Sequence, residues 1–304
     1  MYSNNRIQIG ISSCLLGEEV RHNGGHKRDR YITEVLATHF TFIPFCPEVA
    51  IGLGVPRPTI RLQGGSDSPR AVMPAAGLRD VTDELTAYGR EVGHSHEYIS
   101  GYIFKSKSPS CGMERVKLYT ETGNPSGTGT GIYARSLGET LTLLPLEEEG
   151  RLRDTDLRDN FIERVFAYHR WQGFIRDGIT PAALVAFHTE HKFLLMAHDQ
   201  QAMRRLGRLV AAAGEAMDTV PLRYITLFME TMKKPATPEN RTNVLQHISG
   251  YFKDKLDAGD RRELAQSIEA YRRDETPLIV PLTLLRHHLR RNPDAYLEQQ
   301  QFLR

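Results

Sequence analysis

The spacing of apolar and polar positions changes period part-way along the chain. Residues 6–12 (Arg-Ile-Gln-Ile-Gly-Ile-Ser) alternate with period two, residues 41–45 form a short β-branched and aromatic run, and residues 98–104 give a third strand. Between the first two, Ile32, Val35, Leu36 and Phe40 fall at helical spacing around residues 29–39, which predicts a β-α-β crossover and hence a parallel pair. A second helix is predicted over residues 80–92. Residues 120–130, rich in Gly, Ser, Thr and Asn, read as a loop, and helical spacing resumes near Tyr133. Leu144-Pro145-Leu146-Glu147-Glu148-Glu149-Gly150 closes this part with a proline, an acidic run and a glycine. Beyond it the period is helical over residues 159–171, 181–199, 202–213, 221–232, 238–247, 261–273 and 278–288. Pro181, Pro221 and Pro238 stand at helix starts, where a missing N–H costs little. The expectation is an α/β N-terminal domain with a mainly parallel sheet, residues 1–148, and an all-α C-terminal domain, residues 149–304.

Composition narrows the class. A chain of 304 residues with 40% hydrophobic and 25% charged residues is an ordinary globular one, long enough for two domains. Its apolar stretches, such as residues 278–285 interrupted by Pro281, fall short of the roughly 18–20 residues that span a bilayer, which excludes a membrane-spanning role. Met1-Tyr2-Ser3-Asn4-Asn5-Arg6 lacks the apolar core of a secretory signal, so a cytoplasmic protein is expected. Charge is mildly uneven: residues 151–304 hold 24 Lys and Arg against 20 Asp and Glu, residues 1–150 hold 15 against 17. That gives the second part a weak preference for a polyanion.

Three cysteines, odd and sparse, argue against a disulfide framework. Cys14, Cys46 and Cys111 each follow the carboxyl end of a predicted strand, where parallel α/β sheets build their sites, so they can converge although 32 and 65 residues separate them. A cysteine is also a small core residue, but these lie in turn-forming contexts: Ser12-Ser13-Cys14-Leu15-Leu16-Gly17, Phe45-Cys46-Pro47-Glu48 and Ser108-Pro109-Ser110-Cys111-Gly112. Three thiolates suit a zinc ion completed by water or histidine, or a cubane iron–sulfur cluster with one iron lacking a protein ligand. The absence of a C-x₂-C pair favours the cluster, and a single nucleophilic cysteine with His22 or His26 as base stays open.

These residues carry a resemblance. Cys14-Leu15-Leu16-Gly17 with Arg21-His22-Asn23-Gly24-Gly25-His26-Lys27, then Cys46-Pro47-Glu48 with Gly52-Leu53 and Pro56-Arg57, then Lys105 with Ser108-Pro109-Ser110-Cys111-Gly112, resemble the thiouracil desulfurase (TudS) family over about residues 6–145. The segments His191-Lys192-Phe193-Leu194-Leu195-Met196-Ala197-His198 and His247-Ile248-Ser249-Gly250-Tyr251-Phe252-Lys253 resemble the helical domain fused to it in RNA 4-thiouridine desulfidases (RudS). The resemblance implies that Cys14, Cys46 and Cys111 hold a 4Fe-4S cluster whose fourth iron is open. A soft thiocarbonyl sulfur can bind such an iron, and water then replaces sulfur in a net hydrolysis without an electron donor.

On that reading Glu48 is the general base and Ser108 a proton relay or base-orienting hydroxyl, with Ser110 the alternative. Glu48 could instead cap the following helix, and both serines could be plain turn residues. At position 23 the free-base desulfurases carry Asp; Asn23 can only hydrogen-bond there, which makes Asp29 a candidate for the missing acid–base role. Arg57, Arg61 and Lys105 are candidates for substrate phosphate. Gly127-Thr128-Gly129-Thr130-Gly131 before a helix could cradle another phosphate, though without the lysine of a P-loop.

In the helical half, His188, His191 and His198 fall on one helix, a metal arrangement that packed histidines imitate more often. Cationic clusters (Arg204, Arg205 and Arg208; Lys233 and Lys234; Arg286, Arg290 and Arg291) are solvated surface or an RNA grip. Tyr251, Phe252 and His198 interleaved with Lys192 and Lys253 favour the RNA grip. The expected function is removal of sulfur from 4-thiouridine in tRNA. Its rivals are desulfuration of free thiouracil and a non-catalytic iron–sulfur RNA-binding sensor.

Overall fold

In the computed structural model, which describes residues 6–304, the chain divides by packing into two units, the first running to Gly173 and the second from Phe174 to Arg304. Met1 to Asn5, weighed above against a signal sequence, lie outside the described residues. No helix among the described residues is long and apolar enough to cross a membrane.

The first unit is built on a four-stranded, wholly parallel sheet. Strand β1 (Ile7–Ser12) pairs with β2 (Phe40–Phe45) on one side and β6 (Tyr102–Phe104) on the other, and β6 pairs with β9 (Leu146–Glu148). Ile9 and Ile11 are fully buried and face Leu15, Ile32 and Phe161, while Tyr102, Phe104, Tyr133 and Leu137 form a second cluster. The β1–β2 crossover is helical as its spacing predicts, but it is one wide π turn (Tyr31–Val35) and one tight turn (Leu36–Thr38) rather than an α-helix. The next predicted helix is α2 (Thr82–Ser95); it packs on α3 (Ile132–Thr140) so closely that a Cβ on Gly89 would lie 2.7 Å from that of Ser136.

A second sheet was not read from the sequence. Its order is β5-β4-β3-β7-β8, with β3 (Arg61–Gln63), β4 (Arg70–Met73), β5 (Arg79–Asp80), β7 (Val116–Tyr119) and β8 (Pro125–Gly129). Strands of two to five residues show too few alternations to register as period two. Residues 120–130, expected to be a loop throughout, close a hairpin in which β8 runs antiparallel to β7.

The division by packing falls further along the chain than residue 148. Glu147 and Glu148 belong to β9, not to a linker, and Phe161 and Val165 of α4 (Thr155–Arg176) join the core of the parallel sheet. Packing therefore carries the first unit to Gly173. The second unit contains only helices: α5 (Pro181–His198), α6 (Gln200–Ala211), α7 (Val220–Met232), α8 (Pro238–Gly250), α9 (Ala258–Arg272), α10 (Ile279–Arg291) and the short α11 (Ala295–Glu298). Thr180, Asp199, Thr237 and Asp257 accept backbone N–H bonds as N-caps, which is why these helices start where they do. The histidines of α5 are packed: His191 stacks on Phe187 at 4.1 Å, while ring nitrogens of His188 and His198 bond the Tyr224 hydroxyl and the Lys234 carbonyl.

Candidate active site

In the parallel sheet the chain leaves β1 toward β2 and leaves β6 toward β9, so the crevice between opposed connections lies above the carboxyl ends of β1 and β6. A cavity of about 360 Å³ opens there. Cys14, Cys46 and Cys111 all line it. Cys14 sits on the tight turn that follows β1, Cys46 caps the short helix α1 (Pro47–Ala50) directly after β2, and Cys111 closes the turn after β6.

Burial pushes the Cys14 thiol up to about 11, with Cys46 adding to the shift, and pushes Cys46 and Cys111 up as well. Backbone N–H groups of Val49 and Glu48 at the start of α1 draw Cys46 partly back, and a hydrogen bond with Ser12 does so for Cys111. The charge of Cys46 on Cys14, and those of Cys46 and Cys14 on Cys111, add to the rise. Among the described residues no three His, Cys, Asp or Glu side chains form a group arranged to hold a metal ion, and the three thiols line one open cavity. A tetrahedral zinc would need its sulfurs about 2.3 Å from one centre. The soft donors around an open space fit a larger group of metal and sulfide better.

The turn carrying Cys111 is held from both sides. The Ser108 hydroxyl accepts the backbone N–H groups of Ser110 (3.3 Å) and Cys111 (3.1 Å). The N-terminus of α3 donates to the same turn, from Gly131 to the Gly112 carbonyl, Ile132 to that of Pro109 and Ala134 to that of Ser110. Gly131 approaches so closely that a Cβ there would stand 2.6 Å from the Ser110 carbonyl oxygen. This corrects the phosphate cradle expected at Gly127 to Gly131: the helix start is spent on the cysteine turn.

Glu48 does not act as a helix cap. Its Oε2 accepts the Nε–H of Arg57 at 2.7 Å, with Nη2 of the same guanidinium ion-paired to it at 2.7 Å, and its Oε1 accepts the Ser110 hydroxyl at 2.9 Å. Of the roughly four acceptor sites of a carboxylate, these hydrogen bonds fill one on each oxygen, and one site on Oε1 is left toward the cavity. Glu48 lines the cavity, and Ser110 lies fully buried behind it.

Arg57 is only 2% exposed at its side chain and also donates to the carbonyls of Gly54 (2.7 Å) and Val20 (2.8 Å). It therefore positions Glu48 instead of reaching outward for phosphate, its sequence-based role. Arg57→Met should lower unfolding stability by about 3–5 kcal/mol, because it strands a half-buried carboxylate and two carbonyls. Arg57→Lys should restore little, since one ammonium cannot serve three acceptors in a plane. Urea midpoints of the two variants against the parent check this, and a midpoint within error of the parent would refute it.

Lys105 lines the cavity but is tied down by an ion pair to Glu149 and by Ser106, whose N–H donates to Glu149 at 2.6 Å. The acidic run read as a boundary marker is thus structural: Glu147 pairs with Arg151 and Arg164, and Glu148 accepts the N–H of Met113.

Two predicted site residues stand elsewhere. Asn23 accepts the Gly25 N–H in a local turn, and Asp29 caps the crossover by accepting the N–H of Ile32; neither lines the cavity. Asp29 is therefore not brought to the thiols as an acid or base. Lys192 and Lys253 belong to the second unit, where Phe252 and His198 are buried in its interior and so offer no stacking face. Arg21 and Lys27, quoted above only as motif letters, supply positive charge on the cavity wall. Their spacing around His22 was the available signal.

Residues 9–149 match the family model described as 2-thiouracil desulfurase, and residues 192–304 match a family described as protein of unknown function (DUF1722). Over residues 9–149 the chain belongs to the 2-thiouracil desulfurase family. Among its relatives, the uncharacterized protein YbgA of Escherichia coli (strain K12) is 35% identical over 146 residues, 47% of this chain and 86% of its own length. The uncharacterized protein YbbK of Bacillus subtilis (strain 168) is 31% identical over 141 residues, 42% of this chain and 88% of its own. A solved structure titled [4Fe-4S]-dependent thiouracil desulfidase TudS (DUF523Vcz) is 28% identical, with a TM-score of 0.38, and the match covers 50% of this chain and 97% of that one. The desulfurase-family segment coincides with the unit that carries the three thiols and Glu48.

Proposed function

We propose that the chain is a cytoplasmic iron–sulfur-dependent desulfidase that hydrolyses the C=S bond of 4-thiouridine in tRNA, giving uridine and hydrosulfide. The observation that carries the reading is the meeting of three thiols and a doubly anchored carboxylate in one cavity of a 2-thiouracil desulfurase domain. Cys14, Cys46 and Cys111 would hold a 4Fe-4S cluster, which when bound supplies an open iron as a soft Lewis acid for the thiocarbonyl sulfur.

The remaining work falls to this chain's residues. Glu48 accepts a proton from water at the acceptor site left on Oε1, while Ser110 holds that oxygen and Arg57 anchors Oε2. Ser108 fixes the turn that presents Cys111. Arg21 and Lys27 give the wall a positive potential that favours an anionic polymer over a free base. Cationic side chains on the helical unit, Lys192 and Lys253 among them, would add backbone contacts. Reduced thiols suit the cytoplasm.

Incubating anaerobically reconstituted protein with bulk tRNA, then digesting and quantifying nucleosides, should show selective loss of 4-thiouridine with a matching gain of uridine. Turnover of free thiouracil alone, from protein verified to hold iron and sulfide, would replace tRNA by the free base as substrate.

A further inference from the structure

Next to the cavity, and sharing Thr59, Ile60, Lys107 and Pro109 with it, runs a depression of about 650 Å³ across β3 and β7, paired inner strands of the second sheet. Its walls include Arg61, Lys107, Arg115 and Lys117 and no carboxylate. Register explains the concentration of charge. Leu62 of β3 stands opposite Leu118 of β7, and both are buried, so the alternation sends Arg61, Lys117 and Tyr119 to the other, outer face. Among the described residues none of the four cations has an ion-pair partner, in contrast to Lys105 and Arg57 inside the cavity.

Two further features set this depression apart. Lys107 and Arg115 hold left-handed backbone, at φ 60° and 56°, a conformation that long L side chains seldom adopt. The Arg61 guanidinium lies over the Tyr119 ring at 5.8 Å, and its Nε is buried without a hydrogen-bond partner among the described residues. A guanidinium lying over an aromatic ring is a surface on which an unpaired base can stack.

We infer that this depression holds the single-stranded RNA next to the thiolated nucleotide, with Lys107, Arg115 and Lys117 on its phosphates and the Arg61–Tyr119 pair under a neighbouring base. The inference rests on the proposed RNA substrate and adds to it: the desulfurase unit itself, and not the helical unit alone, grips the polymer. A nucleoside in the cavity must have its flanking phosphates outside the mouth, and Lys107 stands at the seam between cavity and depression. A free thiobase has no phosphate and makes no use of these groups.

The test uses the full-length holoprotein carrying Lys117→Glu with Arg115→Asn. Both positions are exposed, and Asn tolerates left-handed backbone better than Arg, so thermal stability should hold or rise. Binding of a 4-thiouridine-containing oligoribonucleotide, read by fluorescence anisotropy across a salt series, should weaken on the order of tenfold, and the salt slope should fall by about 0.7 per lost phosphate contact. Turnover of free thiouracil should be unchanged. Parent-like RNA affinity and salt slope in the variant would overturn the inference, as would an equal loss of free-base turnover, which would make the groups part of the catalytic cavity. A parent protein that binds no RNA would overturn the RNA reading and the inference with it.

Discussion

Cys111→Ser is expected to give a folded protein with neither cluster nor turnover. Cys111 is 6% exposed, on a turn held by the Ser108 hydroxyl and three N–H groups of α3. None of those bonds uses its sulfur, and serine nearly matches its volume, so the turn stays in place. The loss is chemical: a soft thiolate donor becomes a hard hydroxyl that stays protonated at neutral pH, and two thiolates do not retain a cluster designed around three. Iron and acid-labile sulfide should fall together with activity, while the unfolding transition moves little. Cys14→Ser and Cys46→Ser should behave alike. A single nucleophilic cysteine would instead make one of the three substitutions fatal and leave the other two active, and that pattern would sink the cluster reading.

Glu48→Gln should lower kcat by about 10²–10⁴-fold, the usual worth of a positioned general base, with cluster content unchanged. Glutamine keeps the shape, and its amide oxygen can still accept the Nε–H of Arg57. The Ser110 hydroxyl can turn from donating to accepting, so the geometry survives while the basic site is removed. Ser110→Ala should cost less, because the carboxylate remains and only one of its anchors goes. Single-turnover measurements on protein of verified iron content distinguish the outcomes. If kcat survives and only stability falls, Glu48 is a buried partner for Arg57 and the base lies elsewhere.

Much of this molecule was legible before folding. The parallel β1–β2 pair, the cysteines at strand ends and the helix starts at Pro181 and Pro238 rest on local rules, since strand alternation, turn chemistry and first-turn prolines involve residues a few positions apart. Short strands escaped because three residues of β3 or four of β7 carry almost no periodic signal; they pair only because a distant segment supplies the neighbour. Residues 147–149 misled for a related reason. Three glutamates in a row resemble a solvated linker, and only long-range partners (Arg164, the Met113 N–H and Lys105) turn them inward.

The site divides along the same line. Sequence by itself named the candidate donor set, because a thiol's softness and a carboxylate's basicity belong to the residue types and their turns. Which hydroxyl reaches Glu48, which arginine is buried behind it, that Asp29 stays outside the cavity and that four cations gather beside it were decided by tertiary structure. A hydrogen bond between residues 62 positions apart, such as Ser110 to Glu48, depends on how β2 and β6 flank β1 and has no periodic trace in the chain.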